Sequence, residues 1–409
     1  MNKPIQTTPA ALRRLILAQQ GLLRWRGGRG RWAEGVPWLD QPASTLEAIK
    51  RLEAVQLDPV AVVERNHHLV LWNRVKNYQP KMLEALYPQK RVFEYWAQAR
   101  CILPLEDWGI FGWRRERWGL ERTIEGMMVH NRHEGYAREV TEAVEYIRLR
   151  LAQEGSLPAR ALDTGKRVRS YWGFTAKASS QAVEHLWEAG EIVVSERRGE
   201  ERFYALASSW LPATPGGERA KDHAALLRDK LVKFIRAYGV VDASDPRLGW
   251  RNWPPGERKA ELEALLKSKA ITPLEIQGLP NKRRYFLWGE LAEMLEGIAP
   301  AKVSPRVWFL PPLDNLLWRR ERIVDLFGFD YKWEIYVPEH KRKYGPYILP
   351  ILEGERFVGR LDARMNRAEG RLEVRRIFWE TPPDECRVAR VQKALERFGS
   401  RLGVAVQLP

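Results

Sequence analysis

Two polar residues stand two positions apart in the apolar run Ala54-Val55-Gln56-Leu57-Asp58-Pro59-Val60. If that run is extended, Gln56 and Asp58 project from one face while Leu57 points into the core. A carboxylate beside a carboxamide can stabilise a developing sugar cation and hold a water against it, the two requirements of hydrolysis at a glycosidic carbon. The same residues admit a second reading, in which Asp58 is a helix N-cap and Pro59 the first helical residue. Taken alone they leave both open.

Composition supplies the setting for that chemistry. The 409 residues carry 68 Lys plus Arg against 52 Asp plus Glu, a formal charge of +16. The excess is spread along the chain rather than gathered in a tail, which predicts basic faces on folded modules and a polyanionic partner. A hydrophobic content of 44% with 18 Trp is ample for large cores. Only Cys101 and Cys386 are present, which excludes a zinc ribbon or a cysteine-rich scaffold. They are expected as reduced thiols, with a disulfide between them left open. His67 and His68 are adjacent, point in different directions and lack a third ligand nearby, so no metal is expected, and no cofactor. The N-terminus lacks the apolar core of a signal peptide, and no apolar run approaches the roughly 18 residues of a membrane span. The expectation is a cytoplasmic, nucleoid-associated monomer with no membrane partner.

The elements that must hold the pair are legible as one unit repeated in altered form. Over residues 180–206, Val183, Leu186 and Trp187 recur at helical spacing, Gly190 ends the helix, residues 192–194 start a strand, residues 197–200 make a basic turn, and residues 202–206 return. Helix, strand, turn, strand is the ending of a winged helix. A second copy has Leu262, Leu265 and Leu266 as its stripe, residues 271–276 as the outgoing strand and 281–287 as the return, with a longer turn. A third copy fits the N-terminal region. Leu12, Leu15, Ile16 and Ala18 form one helix there, Leu46, Ile49 and Leu52 a second, and residues 69–75 a third, followed by a hairpin over 91–103. The Gly/Arg-rich stretch 24–35 reads as a mobile loop able to touch phosphate, and 211–217 as a linker. From residue 303 the pattern changes to short alternating runs at 333–337, 347–352, 357–361 and 372–378, then a closing helix around 388–398: a small antiparallel sheet domain.

Val55-Gln56-Leu57-Asp58, Leu69-Val70-Leu71 with Arg74 and Asn77-Tyr78, and Glu94-Tyr95-Trp96-Ala97 together resemble the crosslink-repair DNA glycosylases of the YcaQ-like winged-helix family. The likeness extends through residues 310–322 with Asp314, Trp318 and Arg320, through Lys341-Arg342-Lys343-Tyr344-Gly345-Pro346-Tyr347-Ile348-Leu349-Pro350, and through residues 358–364. It covers nearly the whole chain. The resemblance implies an α+β fold of three tandem winged-helix modules, residues 1–135, 136–212 and 213–300, set as a C-shaped scaffold around DNA. A C-terminal antiparallel β domain, residues 301–409, closes it. It also implies a Gln-apolar-Asp catalytic motif, Gln56 and Asp58, that removes N7-alkylated guanine and unhooks interstrand crosslinks. Two positions depart from the family pattern: Gln98 stands where His is expected, and Arg319 where Asp is expected.

The chemistry agrees with a single carboxylate. N7 alkylation leaves guanine cationic, so the base departs neutral and needs little protonation. Asp58 then stabilises the oxocarbenium-like transition state or takes a proton from water, and Gln56 orients that water or the carboxylate. No Lys stands beside the pair, so a monofunctional enzyme without Schiff-base lyase chemistry is expected. Candidate contacts to double-stranded DNA carrying the lesion or crosslink are Arg65, His67, His68 and Arg74 after the motif, with Tyr95 and Trp96 as stacking or wedge residues. Arg197, Arg198 and Arg202 on one wing, Lys282, Arg283 and Arg284 on the next, and Lys341, Arg342 and Lys343 are suited to phosphate. Arg360 and Arg364 either extend that patch or belong to an internal polar network. A non-enzymatic winged-helix regulator is the alternative, and a sequence-specific footprint without base release would favour it.

Overall fold

The structure, a computed structural model, describes residues 3–23, 42–117, 119, 135–169, 173–213, 222–250, 253, 256–279 and 283–409. The Gly/Arg-rich stretch 24–35, Lys282 and part of the 211–217 linker lie outside the described residues. Helices and sheets are mixed along the chain, an α+β architecture. The chain divides into two units: Met1–Tyr78, Ala97–Cys101 and Lys230–Pro409 form the first, and Gln79–Trp96 with Ile102–Asp229 the second.

In the first unit the helix Pro9–Gln19 starts where Thr8 accepts the Ala11 N–H and Pro9 fills the first turn, where a missing N–H removes no helical bond. Its Leu12, Leu15 and Ile16 are fully buried and join Tyr285, Leu287, Leu295, Leu310 and Phe329 in one core. The expected helix, strand, turn, strand is present as Glu257–Lys267, Ile271–Ile276 and Tyr285–Trp288. Those strands pair antiparallel, Val240–Asp242 joins one edge, and Ile5–Thr7 lies parallel to Ile271–Ile276 on the other. The last pairing joins residues so distant in the chain that no local pattern announces it.

The C-terminal sheet has five strands, in the order Val307–Phe309, Ile348–Glu353, Arg356–Asn366, Arg371–Trp379 and Ala405–Gln407. The first four pair antiparallel; the last runs parallel to its neighbour. The closing helix is Glu385–Leu402, capped by Asp384. One expected strand, residues 333–337, is absent. Trp333, Ile335 and Val337 alternate as a strand would, but the chain turns there, with the Val337 N–H donating to the Glu334 carbonyl at 2.9 Å. The reason is the Glu334 side chain, 7% exposed, whose carboxylate accepts the N–H groups of Lys343, Tyr344 and Gly345 at 3.0, 2.9 and 3.1 Å. Three backbone donors on one buried carboxylate fasten the loop that a strand would have to straighten.

In the second unit the helices Tyr136–Glu154 and Ala178–Ala189 pack on one another and bury Val140, Val144, Ile147, Leu186 and Trp187. Gly190 ends the second helix at φ 75°, a left-handed conformation that a side chain would strain, and the Glu191 N–H closes onto the Leu186 carbonyl at 2.9 Å. The strands Ile192–Arg198 and Glu201–Leu206 then form the expected antiparallel hairpin.

Candidate active site

The short strand Val55–Gln56 is held from both sides by side-chain amides. Asn315 Nδ2 donates to the Ala54 carbonyl at 2.7 Å and Asn66 Nδ2 to the Gln56 carbonyl at 2.8 Å. The Leu57 N–H donates to the Arg100 carbonyl at 2.9 Å, which continues the extended path one residue further. Ala54 and Val55 are the fully buried residues of the run, whereas Leu57 stays partly exposed and is not the core residue that alternation predicts.

Beyond Leu57 the chain leaves the sheet. Asp58 Oδ1 accepts the Val60 N–H at 2.9 Å, a side-chain turn, and no helix occurs over residues 59–65. The next helix, Asn66–Trp72, has Arg65 at its N-cap without a side-chain cap bond. Asp58 is therefore not a helix cap, and that reading of Asp58-Pro59 is set aside. The loop is laced to the sheet instead: Met365 N–H donates to the Val62 carbonyl at 2.9 Å and Arg367 Nη2 to the Ala61 carbonyl at 3.1 Å. Burial holds the half-buried Asp58 carboxyl above the usual carboxylate range, opposed by the Val60 N–H and the positive charge of Arg65. Gln56 Oε1 accepts from Gln98 Nε2 at 2.7 Å, so the residue that departs from the family pattern grips the motif's own carboxamide. Gln98 Oε1 is buried and has no hydrogen-bond partner among the described residues.

The predicted DNA contacts divide by burial. Arg74 is 2% exposed and makes a bidentate pair with Asp314, both bonds 2.8 Å, while its Nε donates to the Gln20 carbonyl. It faces the interior. Arg197 is likewise bound to the buried Glu94 carboxylate, which also accepts from Tyr87. Tyr95 and His67 are 1% and 3% exposed. Trp96 donates to Glu188 at 2.8 Å, and His68 Nδ1 meets the Tyr78 hydroxyl at 2.8 Å. Arg65 is partly exposed at the helix start. Arg283 is held by Asp325 at 2.7 Å, and Arg342 donates to the Val337 carbonyl. Arg284, Lys341 and Lys343 are exposed, Arg198 is exposed beside Glu196, and Arg202 is partly so. Arg360 lies among Phe329, Tyr344 and Glu380, an internal network, and Arg364 is exposed. The second departure is also accommodated: Arg319 is buried against Asp242 at 2.6 Å and Ser244 at 3.0 Å, so its charge is met inside the fold.

Asn315, which holds the strand through the Ala54 carbonyl, escaped sequence reasoning because it lies 261 residues away in the chain. Burial, then Tyr331 and the carboxylates of Asp58 and Glu64, push the ionisation of the Tyr347 phenol up. Cys101 and Cys386 are free thiols, and burial pushes the Cys101 thiol up to about 12. Among the described residues, no group of three or more His, Cys, Asp or Glu is arranged to hold a metal, and no helix is long and apolar enough to cross a membrane.

An α+β scaffold that fixes a half-buried carboxylate on a short loop beside a paired carboxamide has the parts of a hydrolase acting at a sugar carbon. Residues 49–402 match the family described as DNA glycosylase AlkZ-like. The fold is similar to that of the Streptomyces sahachiroi DNA glycosylase AlkZ, with a TM-score of 0.62 and 17% identity over 99% of this chain and 100% of that one. The chain belongs to the AlkZ-like DNA glycosylase family, enzymes of DNA repair that cleave the bond between base and sugar.

Proposed function

We propose that this glycosylase is monofunctional, that it hydrolyses the N-glycosidic bond of N7-alkylated guanine, and that it unhooks interstrand crosslinks made through that nitrogen. The observation that carries the reading is Asp58: a carboxylate partly withdrawn from water, turned by the Val60 N–H, in the segment whose Gln56 is paired with Gln98. A cationic purine needs no strong acid to leave. The ionised Asp58 meets the positive charge that grows on the sugar and receives the proton of the attacking water, while Gln56 orients the pair. Residues 51–75 contain no Lys, which supports hydrolysis over imine chemistry.

The repeated helix, strand, turn, strand supports winged-helix modules over residues 136–212 and 213–300, with residues 1–135 as a third and residues 301–409 as a β domain. Among the described candidates, Arg198, Arg202, Arg284, Lys341, Lys343 and Arg364 have exposure suited to phosphate. Arg65, His68 and Trp96 contact the lesion strand at their exposed edges. Arg74 and His67 support the motif from inside the first unit, and Arg197 and Tyr95 belong to the interior of the second. The enzyme acts as a monomer in the cytoplasm, on the nucleoid.

Two expectations follow from the site's electrostatics. Activity needs the ionised Asp58, so base release falls as pH drops through a carboxyl pKa that burial has raised, and the acid limb of the rate profile lies above that of an exposed aspartate. Rates in buffered steps from pH 4 to 8 check this; a limb at the ordinary aspartate position would contradict it. Arg284→Ala is expected to reduce the slope of log affinity against log salt by about 0.9, with little effect on the rate at saturating DNA. Binding titrations at several salt concentrations read that slope.

The decisive test is release of base from a duplex carrying one N7-methylguanine, read as alkali-labile strand breakage, with borohydride trapping in parallel. The expected result is breakage without a trapped adduct, and strand separation of a duplex crosslinked through N7. A trapped adduct would refute monofunctional hydrolysis; tight, salt-sensitive binding without release would return the protein to the regulator reading.

A further inference from the structure

We propose that Gln98 is a positioning residue of the site. By holding the carboxamide oxygen of Gln56 it turns the Gln56 NH2 toward the substrate, so that Gln56 meets the reacting atoms as a donor only. The proposal rests on the hydrolytic reading above and deepens it: it says which end of the motif's carboxamide works and what sets it.

Both partners are fixed through their backbones. Asn66 Nδ2 holds the Gln56 carbonyl at 2.8 Å, and the next N–H, that of Leu57, donates to the Arg100 carbonyl at 2.9 Å. Two residues before Arg100, Gln98 sits in a turn closed by the Ala97 N–H on the Ala99 carbonyl, also at 2.9 Å. What the backbone leaves loose is the side-chain torsions, above all the terminal one, which in a glutamine is broad and roughly two-fold. That torsion decides which end of the amide faces which way. The bond from Gln98 Nε2 to Gln56 Oε1, at 2.7 Å, removes its freedom.

Two amides can pair in either sense, and burial selects this one. Gln98 Oε1 is buried with no partner among the described residues. The reverse pairing would put the Gln98 NH2 in that place, and a buried donor without a partner is a rarer fault than an under-satisfied carbonyl. Gln56 then presents its other end. The residue is partly exposed; its Nε2 is not buried, and no described residue bonds it. An amide NH2 offers two donors and accepts nothing. At the site it holds a water by one lone pair of the oxygen, leaves the other for the sugar carbon, and takes no proton, a task left to Asp58. The orphaned Gln98 carbonyl is destabilising, as expected where function rather than stability sets the side chain.

The test is a double-mutant cycle on single-turnover release of 7-methylguanine at saturating DNA, with DNA affinity and Tm measured on the same preparations. Gln98→Met keeps the length of the side chain and removes the bond. Its rate is expected to fall about tenfold with unchanged affinity, and its Tm should be no lower than wild type, because the orphaned carbonyl goes with the bond. Gln56→Met should fall about a hundredfold, and the double variant should lie within about twofold of it, since Gln98 acts through Gln56 alone. Gln98→His, with a ring N–H at comparable reach, should recover most of the loss. Gln56→Glu keeps an oxygen for Gln98 but turns a second oxygen outward, and should be no faster than Gln56→Met. Wild-type rate in Gln98→Met, or a double variant that loses the product of the two single effects, would overturn the proposal and leave the hydrolytic reading intact. Gln56→Glu at the wild-type rate would overturn the donor assignment; a wild type that releases no base overturns the hydrolytic reading itself.

Discussion

Asp58→Asn is expected to slow base release from N7-alkylated DNA by about 10² to 10³-fold, while duplex affinity stays within twofold or so of wild type. The substitution keeps the side chain's shape and an oxygen for the Val60 N–H, 2.9 Å away in the wild type, so the turn should survive. On the proposed mechanism, what is lost is the negative charge that meets the sugar cation and the group that accepts the proton. The sign of the stability effect separates this from simple damage. Because the folded state raises the Asp58 pKa, folding favours the protonated form. The group is therefore least unfavourable at low pH, and folding opposes its charge increasingly as pH rises through the carboxyl range. Asn carries no such charge, so the variant should melt no lower than wild type at neutral pH. Single-turnover kinetics, a binding titration and a melting curve on one preparation decide the matter. A variant that loses activity and also melts early would mean that the turn, rather than the charge, had been removed.

The largest stability effect is expected at the pair Arg74 and Asp314, with side chains 2% and 0% exposed. Removing one partner leaves a charge buried without compensation, which typically costs about 3 to 5 kcal/mol. Asp314→Ala strands the Arg74 guanidinium and also frees the Leu316 N–H that Asp314 Oδ1 accepts at 3.0 Å. Arg74→Met strands the Asp314 carboxylate and loses bonds to the Gln20 and Val70 carbonyls. Replacing both at once, Arg74→Met with Asp314→Leu, removes both charges and should recover a substantial share of the loss, since a buried pair is often matched by apolar residues of similar volume. Denaturant unfolding of the two single variants and the double gives the cycle. Strict additivity would show that the pair is not coupled, and that Arg74 owes its burial to packing alone.

This pair also shows where sequence reading stops. Arg74 follows the Gln56 and Asp58 motif closely, and in a chain of +16 charge the natural expectation for it is phosphate. Its partner is 240 residues away, and nothing within either segment names the other. Arg319 repeats the lesson: it departs from the family pattern, and the residue that answers it is Asp242, 77 residues distant. Gln98 is the opposite case, since the residue singled out as unusual does touch the motif. Residues 333–337 show a local pattern misread, because an alternation of apolar residues is also compatible with a turn when a glutamate can gather three backbone donors.

By itself the sequence determined the elements whose signals are local: the helix ended by Gly190 and the hairpin after it, the second copy of that unit at Ile271–Ile276 and Tyr285–Trp288, and three of the strands of the C-terminal sheet. Periodicity, caps and turns act over a few residues, so they are written in a few residues. Motif order along most of the chain was likewise enough to point to a family of DNA glycosylases, because order and spacing are properties of the chain. Only the tertiary structure decided whether Asp58 caps a helix or turns a loop, which arginines face the interior, and that Gln98 grips Gln56. The physical reason is common to all three. A charged or polar group acts according to how far it is removed from water and what partner it meets there, and both are set by segments brought together from distant parts of the chain.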